Sequence, residues 1–164
     1  DTQTAKIQIL GATQISGSAI VPVLNQGTVI LSGFGAPNTL VTIQDGGSIV
    51  GTATIAGDGS WNKSLIFQTG NHSVGMFQED AAGRRSSTVS FTITVTAGST
   101  QTFSNIYFSP TIAISATTVK VGDTLNIFGV AQPAATVNGT IHSDPIPFTT
   151  GSDGNGIYNF PLTV

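Results

Sequence analysis

His72 and His142 are the only two histidines in the 164-residue chain, and it has no cysteine. A zinc centre needs three or four convergent nitrogen or sulfur ligands, so the inventory points away from zinc. The lack of thiols also removes disulfides and cysteine nucleophiles. Hard cations bind through oxygen, several of the donors being carboxylates. Glu79 and Asp80 form the one adjacent acidic pair, Arg84 and Arg85 follow closely enough to neutralise it, and with Asp123 they make a weak calcium set. The expectation is that no metal and no cofactor is bound. A glycosidase needs two carboxylates across a cleft, and acyl transfer needs a nucleophile, a base and an acid in one place. No Gly-x-Ser-x-Gly elbow is present, and the chain is read as non-enzymatic. Trp61, the single tryptophan, has two readings, an exposed platform for stacking a sugar ring or a core side chain. Lys63 beside Asn62 suggests an intramolecular isopeptide bond, but neighbours in a strand face opposite sides.

The elements that must position these residues are strands. Only 8% of residues are charged, against 20 glycines and many Ser, Thr, Val and Ile. Thr and Ser suit the solvent face of a strand, whereas helices draw on Glu, Lys, Arg and Ala. The net charge of −3 supplies no basic field to gather nucleic acid or an anionic membrane. No stretch reaches the roughly 20 apolar residues of a membrane span. Asp1 is read as a mature start, because no basic segment followed by an apolar one opens the chain. Short apolar runs bounded by Gly, Pro, Asn and Asp predict strands at 5–10, 19–24, 28–32, 39–44, 49–55, 61–67, 72–78 and 88–96. A second series is predicted at 111–115, 124–128, 135–142, 146–149 and 157–164. Asp45-Gly46-Gly47 and Asp58-Gly59 supply the positive φ that tight reversals require.

The two series are copies. Gly33 and Pro37 match Gly129 and Pro133, both 96 residues later, and Asp58-Gly59 matches Asp153-Gly154, 95 later. Trp61 then pairs with Tyr158 and Leu65 with Leu162, which favours a core role for both aromatics. The first copy has two further strands between Asn71 and Val95 that the second lacks, while "AKIQILGATQ" near the start resembles "FTITVTAGSTQ", the closing strand of the first copy. Unpaired backbone groups cost about 1 to 3 kcal/mol each when buried, so outside polypeptide is expected to complete the second copy. Its source is a neighbouring molecule's first strand or sequence beyond this chain. The expected contact residues are Ala5, Ile7 and Ile9 on the donor side, and Ile157, Phe160 and Leu162 on the acceptor side.

The first copy resembles bacterial Ig-like domains of secreted and cell-surface proteins. The resemblance is carried by Gly33, Pro37, the strand Val41-Thr42-Ile43, Asp58-Gly59 before Trp61, Gly70 with His72, and Asp80 to Gly83. It covers residues 27–95 well and 122–164 partly. It implies an all-β chain of two tandem immunoglobulin-like β-sandwiches, the second incomplete: a first strand segment at 1–17, one domain at 18–98, a linker at 99–109 and a second domain at 110–164. Phe103, Tyr107 and Phe108 fall in that linker, as a wedge between the sandwiches. The resemblance also implies an extracellular or surface location and a spacer, stalk or adhesive role. A head-to-tail fibre built by strand sharing is one form of that role, and packing against neighbouring Ig-like domains of a longer chain is another. The rival reading is a carbohydrate-binding accessory module of a secreted polysaccharide-active protein, for which Trp61 would have to be exposed. Three glycosylation sequons begin at Asn62, Asn71 and Asn138.

Overall fold

The computed structural model describes residues 25–142 and 145–164. The strands expected at 5–10 and 19–24, and with them Ala5, Ile7 and Ile9, lie outside the described residues. Twelve strands and no helix are present among the described residues. They build two β lobes.

The first lobe contains β1 (Gln26–Phe34), β2 (Leu40–Asp45), β3 (Ser48–Thr54), β4 (Ser60–Gln68), β5 (Gly70–Glu79), β6 (Val89–Val95) and β7 (Thr100–Tyr107). Alternation along β1 sends Val29 and Leu31 inward and leaves Thr28, Ile30 and Ser32 on the outer face. One sheet has the order β4-β1-β7 and the other β3-β2-β5-β6. Gly46 and Gly47 close the β2–β3 hairpin with φ of 54° and 88°, a mirror-image turn that matches strand twist. Between the sheets lies one core that includes Val29, Leu31, Ile43, Trp61, Met76 and Phe108.

Residues 99–109, expected as a linker, instead carry β7, which runs parallel to β1 and closes the first lobe. Two of the segment's three aromatics pack inward rather than between the lobes: Phe103 lies 5.2 Å from Phe91, and Phe108 lies 5.5 Å from Trp61, while Tyr107 stays exposed. A β-bulge hides the strand in the sequence. From Leu31 to Gly33 β1 advances two residues while β7 advances three, from Phe103 to Ile106, with Asn105 at φ 58°. The bulge breaks the alternation that marks a strand.

The second lobe contains β8 (Ala113–Ile114), β9 (Thr124–Val130), β10 (Thr136–Ile141), β11 (Ile146–Gly151) and β12 (Ile157–Thr163). β12-β9-β8 form one sheet and β10-β11 a hairpin. The copies superimpose by register. Gly33 faces Trp61 across β1–β4, and Gly129 faces Tyr158 across β9–β12. Both glycines permit a close approach, since a Cβ on Gly33 would fall 1.9 Å from the Ile106 carbonyl oxygen and one on Gly129 2.0 Å from that of Thr111. The second core is small, built on Ala131, Val137 and Tyr158, and Ile112, Ile114, Val121 and Ile146 remain exposed.

Parallel pairing brings the chain out of β7 at the Pro37 end of the first lobe. It meets the second lobe at the corresponding end, where the Thr111 N–H donates to the Val130 carbonyl (2.9 Å). β8 then runs back along β9.

Candidate functional site

The residues with the richest polar chemistry lie where these two ends meet. Asp80 opens the turn after β5, and its side chain is only 6% exposed. Its Oδ1 accepts from the backbone N–H groups of Ala82 (2.9 Å) and Arg84 (3.1 Å). Its Oδ2 accepts from Arg84 Nε (2.7 Å) and, across the junction, from the Thr111 hydroxyl (3.0 Å). Burial by itself raises the Asp80 pKa, but the hydrogen bonds from Arg84, Thr111 and Ala82 together outweigh it and hold the carboxyl below its ordinary value. Thr111 is fully buried, its hydroxyl accepts from the Val130 N–H (3.1 Å), and its carbonyl accepts from the Tyr158 hydroxyl (2.7 Å). The Arg84 guanidinium lies over the Phe128 ring, 5.3 Å from its centroid.

A second strut comes from Gln78, which is fully buried. Its Oε1 accepts from the Ala36 N–H (2.8 Å) inside the first lobe, and its Nε2 donates to the Ser109 carbonyl (2.9 Å) on the connecting segment. Apolar packing completes the joint reciprocally. A Cβ on Gly59 would fall 2.8 Å from Pro133, and one on Gly156 2.7 Å from Pro37. Gly59 and Gly156 have φ of 84° and 79°, and their carbonyls accept from the N–H groups of equivalent partners, Gly35 and Ala131. Each lobe thus offers its Pro-led turn to the other's glycine, the pattern of an approximate two-fold axis.

The expected site residues fare unevenly. Glu79 is paired with Arg85, Asp80 is committed to the junction, and Asp123 Oδ2 accepts from the Lys120 N–H in its own turn (2.8 Å). No group of three or more His, Asp or Glu side chains placed to hold a metal occurs among the described residues. Trp61 is 4% exposed, so it offers no ring face to a sugar, and its Nε1 is buried without an acceptor among the described residues. His72 Nδ1 lies 2.6 Å from Asp45 Oδ2 and Nε2 lies 2.8 Å from the Gln68 carbonyl. With both nitrogens held, the imidazole is a clasp rather than a free base. His142 is exposed at the end of β10. Ile157, Phe160 and Leu162 do not form one surface. Alternation turns Ile157 outward, beside Asp80 and Arg84, while Phe160 turns inward onto Phe148 at 4.8 Å. Gln78 and Thr111 were missed by sequence reasoning, although the "D-x-A-G" turn that opens at Asp80, two residues after Gln78, marked the place.

One edge in the second lobe is left open. β2 pairs with β3 on one side and β5 on the other, whereas its counterpart β10 pairs only with β11 among the described residues.

The sequence matches the bacterial Ig domain family over residues 13–95, half of the chain, and the protein belongs to that family. The match ends at Val95, before β7. No curated protein matches. Among solved structures, a tetra-tandem repeat from the extending region of a large adhesion protein aligns at 19% identity and a TM-score of 0.31, over 84% of this chain and 41% of its own. This chain therefore spans about two fifths of that structure's length. A DUF3823 family protein from Bacteroides ovatus aligns at 16% identity and a TM-score of 0.30, over 85% and 81% of the two chains. A putative carbohydrate binding protein from Bacteroides uniformis aligns at 12% identity and a TM-score of 0.29, over 84% and 79%. Among the described residues no helix is long and apolar enough to cross a membrane.

Proposed function

We propose that the chain is a non-enzymatic structural module of an extracellular or cell-surface protein, which spaces or displays other domains and joins its neighbours by sharing strands. The observation that carries this reading is the edge of β10 that no strand covers among the described residues. In the first lobe β5 covers the equivalent edge of β2, and Gln78 of β5 caps the Ala36 N–H. The equivalent group in the second lobe is the N–H of Gln132. A neighbouring module's strand laid along Thr136–Ile141 supplies the ladder that β5 supplies to β2, by β-strand addition. Family membership supports the spacer role, and a junction that couples two lobes suits a module that must hold its neighbours apart.

Analytical ultracentrifugation of the whole chain over a range of concentrations tests the reading, with electron microscopy of the heaviest species. The expected result is concentration-dependent, end-to-end assembly that falls away when Ile7 and Ile9 are both replaced by Glu. Adding a peptide with the sequence of Gly70–Glu79 is expected to shift the backbone amide resonances of β10. A monomer at every concentration whose β10 resonances ignore the peptide would falsify the strand-sharing reading.

A further inference from the structure

The outer face of the β4-β1-β7 sheet carries an open groove that neither the junction nor the β10 edge uses. Its walls are Ser32 and Phe34 from β1, Ser60 and Asn62 from β4, and Ser104 and Asn105 from β7. Asn62, Ser104 and Asn105 are exposed and Ser32 is half-buried, so amide and hydroxyl groups of both donor and acceptor type face the solvent together. Ser60 keeps acceptor capacity, since its hydroxyl donates to Asp58 Oδ1 (2.7 Å).

The β7 bulge builds this groove. In an unbroken strand one of two successive residues turns inward, yet Ser104 and Asn105 are both exposed. The extra residue takes a left-handed conformation, φ 58° at Asn105, which asparagine adopts more readily than most residues other than glycine. Beyond the bulge the alternation resumes in shifted phase, so Ile106 enters the core and Tyr107 comes out. Tyr107 is 56% exposed and stacks on Phe34, with ring centroids 5.8 Å apart and planes 22° from parallel. The result is an aromatic flank beside a polar groove whose lining has no Asp, Glu, Lys or Arg.

A pyranose has an apolar C–H face and a rim of hydroxyls, each able to give and take a hydrogen bond, and it carries no charge. Sites for such ligands combine aromatic surface with a few placed polar groups. Anionic ligands would find no cation in the lining, and the nearby Asp58 carboxylate is engaged by the Ser60 N–H and hydroxyl. We propose that this groove, flanked by Tyr107 and Phe34, binds neutral pyranose units of a polysaccharide. The sugar-stacking role considered for Trp61 thus passes to a different aromatic, one the bulge turns outward. The proposal does not depend on how the second lobe is completed, and mobility in a gel and sedimentation read the two separately.

Affinity electrophoresis of the whole chain, through gels containing a soluble β-glucan, a mannan or a xylan and with dextran sulfate as the anionic comparison, tests it. Retardation by at least one neutral polymer is expected. Tyr107→Ala should weaken it about tenfold, as loss of an aromatic anchor does, while Tyr107→Trp retains it. Asn62→Ala and Asn105→Gly should each weaken it, the latter without backbone strain. Thr92→Ala on the opposite sheet should change nothing, and Trp61 fluorescence verifies that each variant is folded. The proposal fails if no neutral polysaccharide retards the chain, if Tyr107→Ala migrates like the unaltered protein, or if only dextran sulfate binds.

Discussion

His72 shows how much one side chain can couple. It begins the β5 strand, yet its ring bridges the end of β2 through Asp45 and the end of β4 through the Gln68 carbonyl, and its edge meets Phe67 at 4.9 Å. Both nitrogens face acceptors, so only the doubly protonated ring satisfies both. The hydrogen bond to Asp45 raises the His72 pKa above its ordinary 6.5, desolvation opposing it and the Gln68 carbonyl assisting. A folded pKa above the unfolded one gives stability that is fully present below about pH 6.5 and is lost as pH rises through the folded pKa. Melting temperatures between pH 5 and pH 9, roughly the range that brackets histidine, should therefore fall with pH for the unaltered protein. The His72→Gln protein should lack that component of the slope, and identical slopes would refute the clasp. The sequence placed His72 correctly at the start of a strand from the Gly70-x-His72 pattern. It could not reveal Asp45, because a partner 27 residues away is brought near only by sheet pairing.

Among the elements, β7 changes the boundary of the first lobe. The hairpins were legible because each combines local alternation with a Gly-bearing turn, and β2 to β6 fall where those signals put them. β7 follows a Gly-bearing turn at Gly98 but lacks an unbroken alternation. Its partner β1 is distant in sequence and parallel, which needs no adjacent turn, and the bulge at Ser104–Asn105 scrambles its alternation. Of the aromatics that suggested a wedge between domains, Phe103 and Phe108 belong to the core with Phe91 and Trp61, and Tyr107 lies on the outer face. A protein ending at Ser99 should thus unfold at lower urea concentration than one ending at Ser109. In the whole chain Phe108→Ala should cost about 3 to 5 kcal/mol, as truncation of a buried phenylalanine does. Equal urea midpoints for the two shortened proteins would show that β7 is dispensable.

For the whole molecule the decisive feature is the junction. Two copies were visible in the sequence, but matched landmarks cannot distinguish lobes stacked in the same sense from lobes meeting at like ends. That distinction rests on Gly59 against Pro133 and Gly156 against Pro37. Asp80→Asn removes the charge that binds Arg84 and Thr111, and should destabilise the protein by about 2 kcal/mol, less than a fully buried pair because Arg84 is partly exposed. The folded pKa of Asp80 lies below its ordinary value, so its contribution is present above about pH 4 and fades as pH falls through the folded pKa. Small-angle scattering at neutral pH should show the Asp80→Asn protein sampling a broader range of lobe separations, and an unchanged profile would mean that the apolar packing suffices. The parallel pairing of β1 and β7 carries a mechanical corollary. Traction applied between Asn25 and Phe108 drags the two strands in opposite directions along their common axis, so every rung joining them bears load simultaneously in shear, and none can be unzipped in turn.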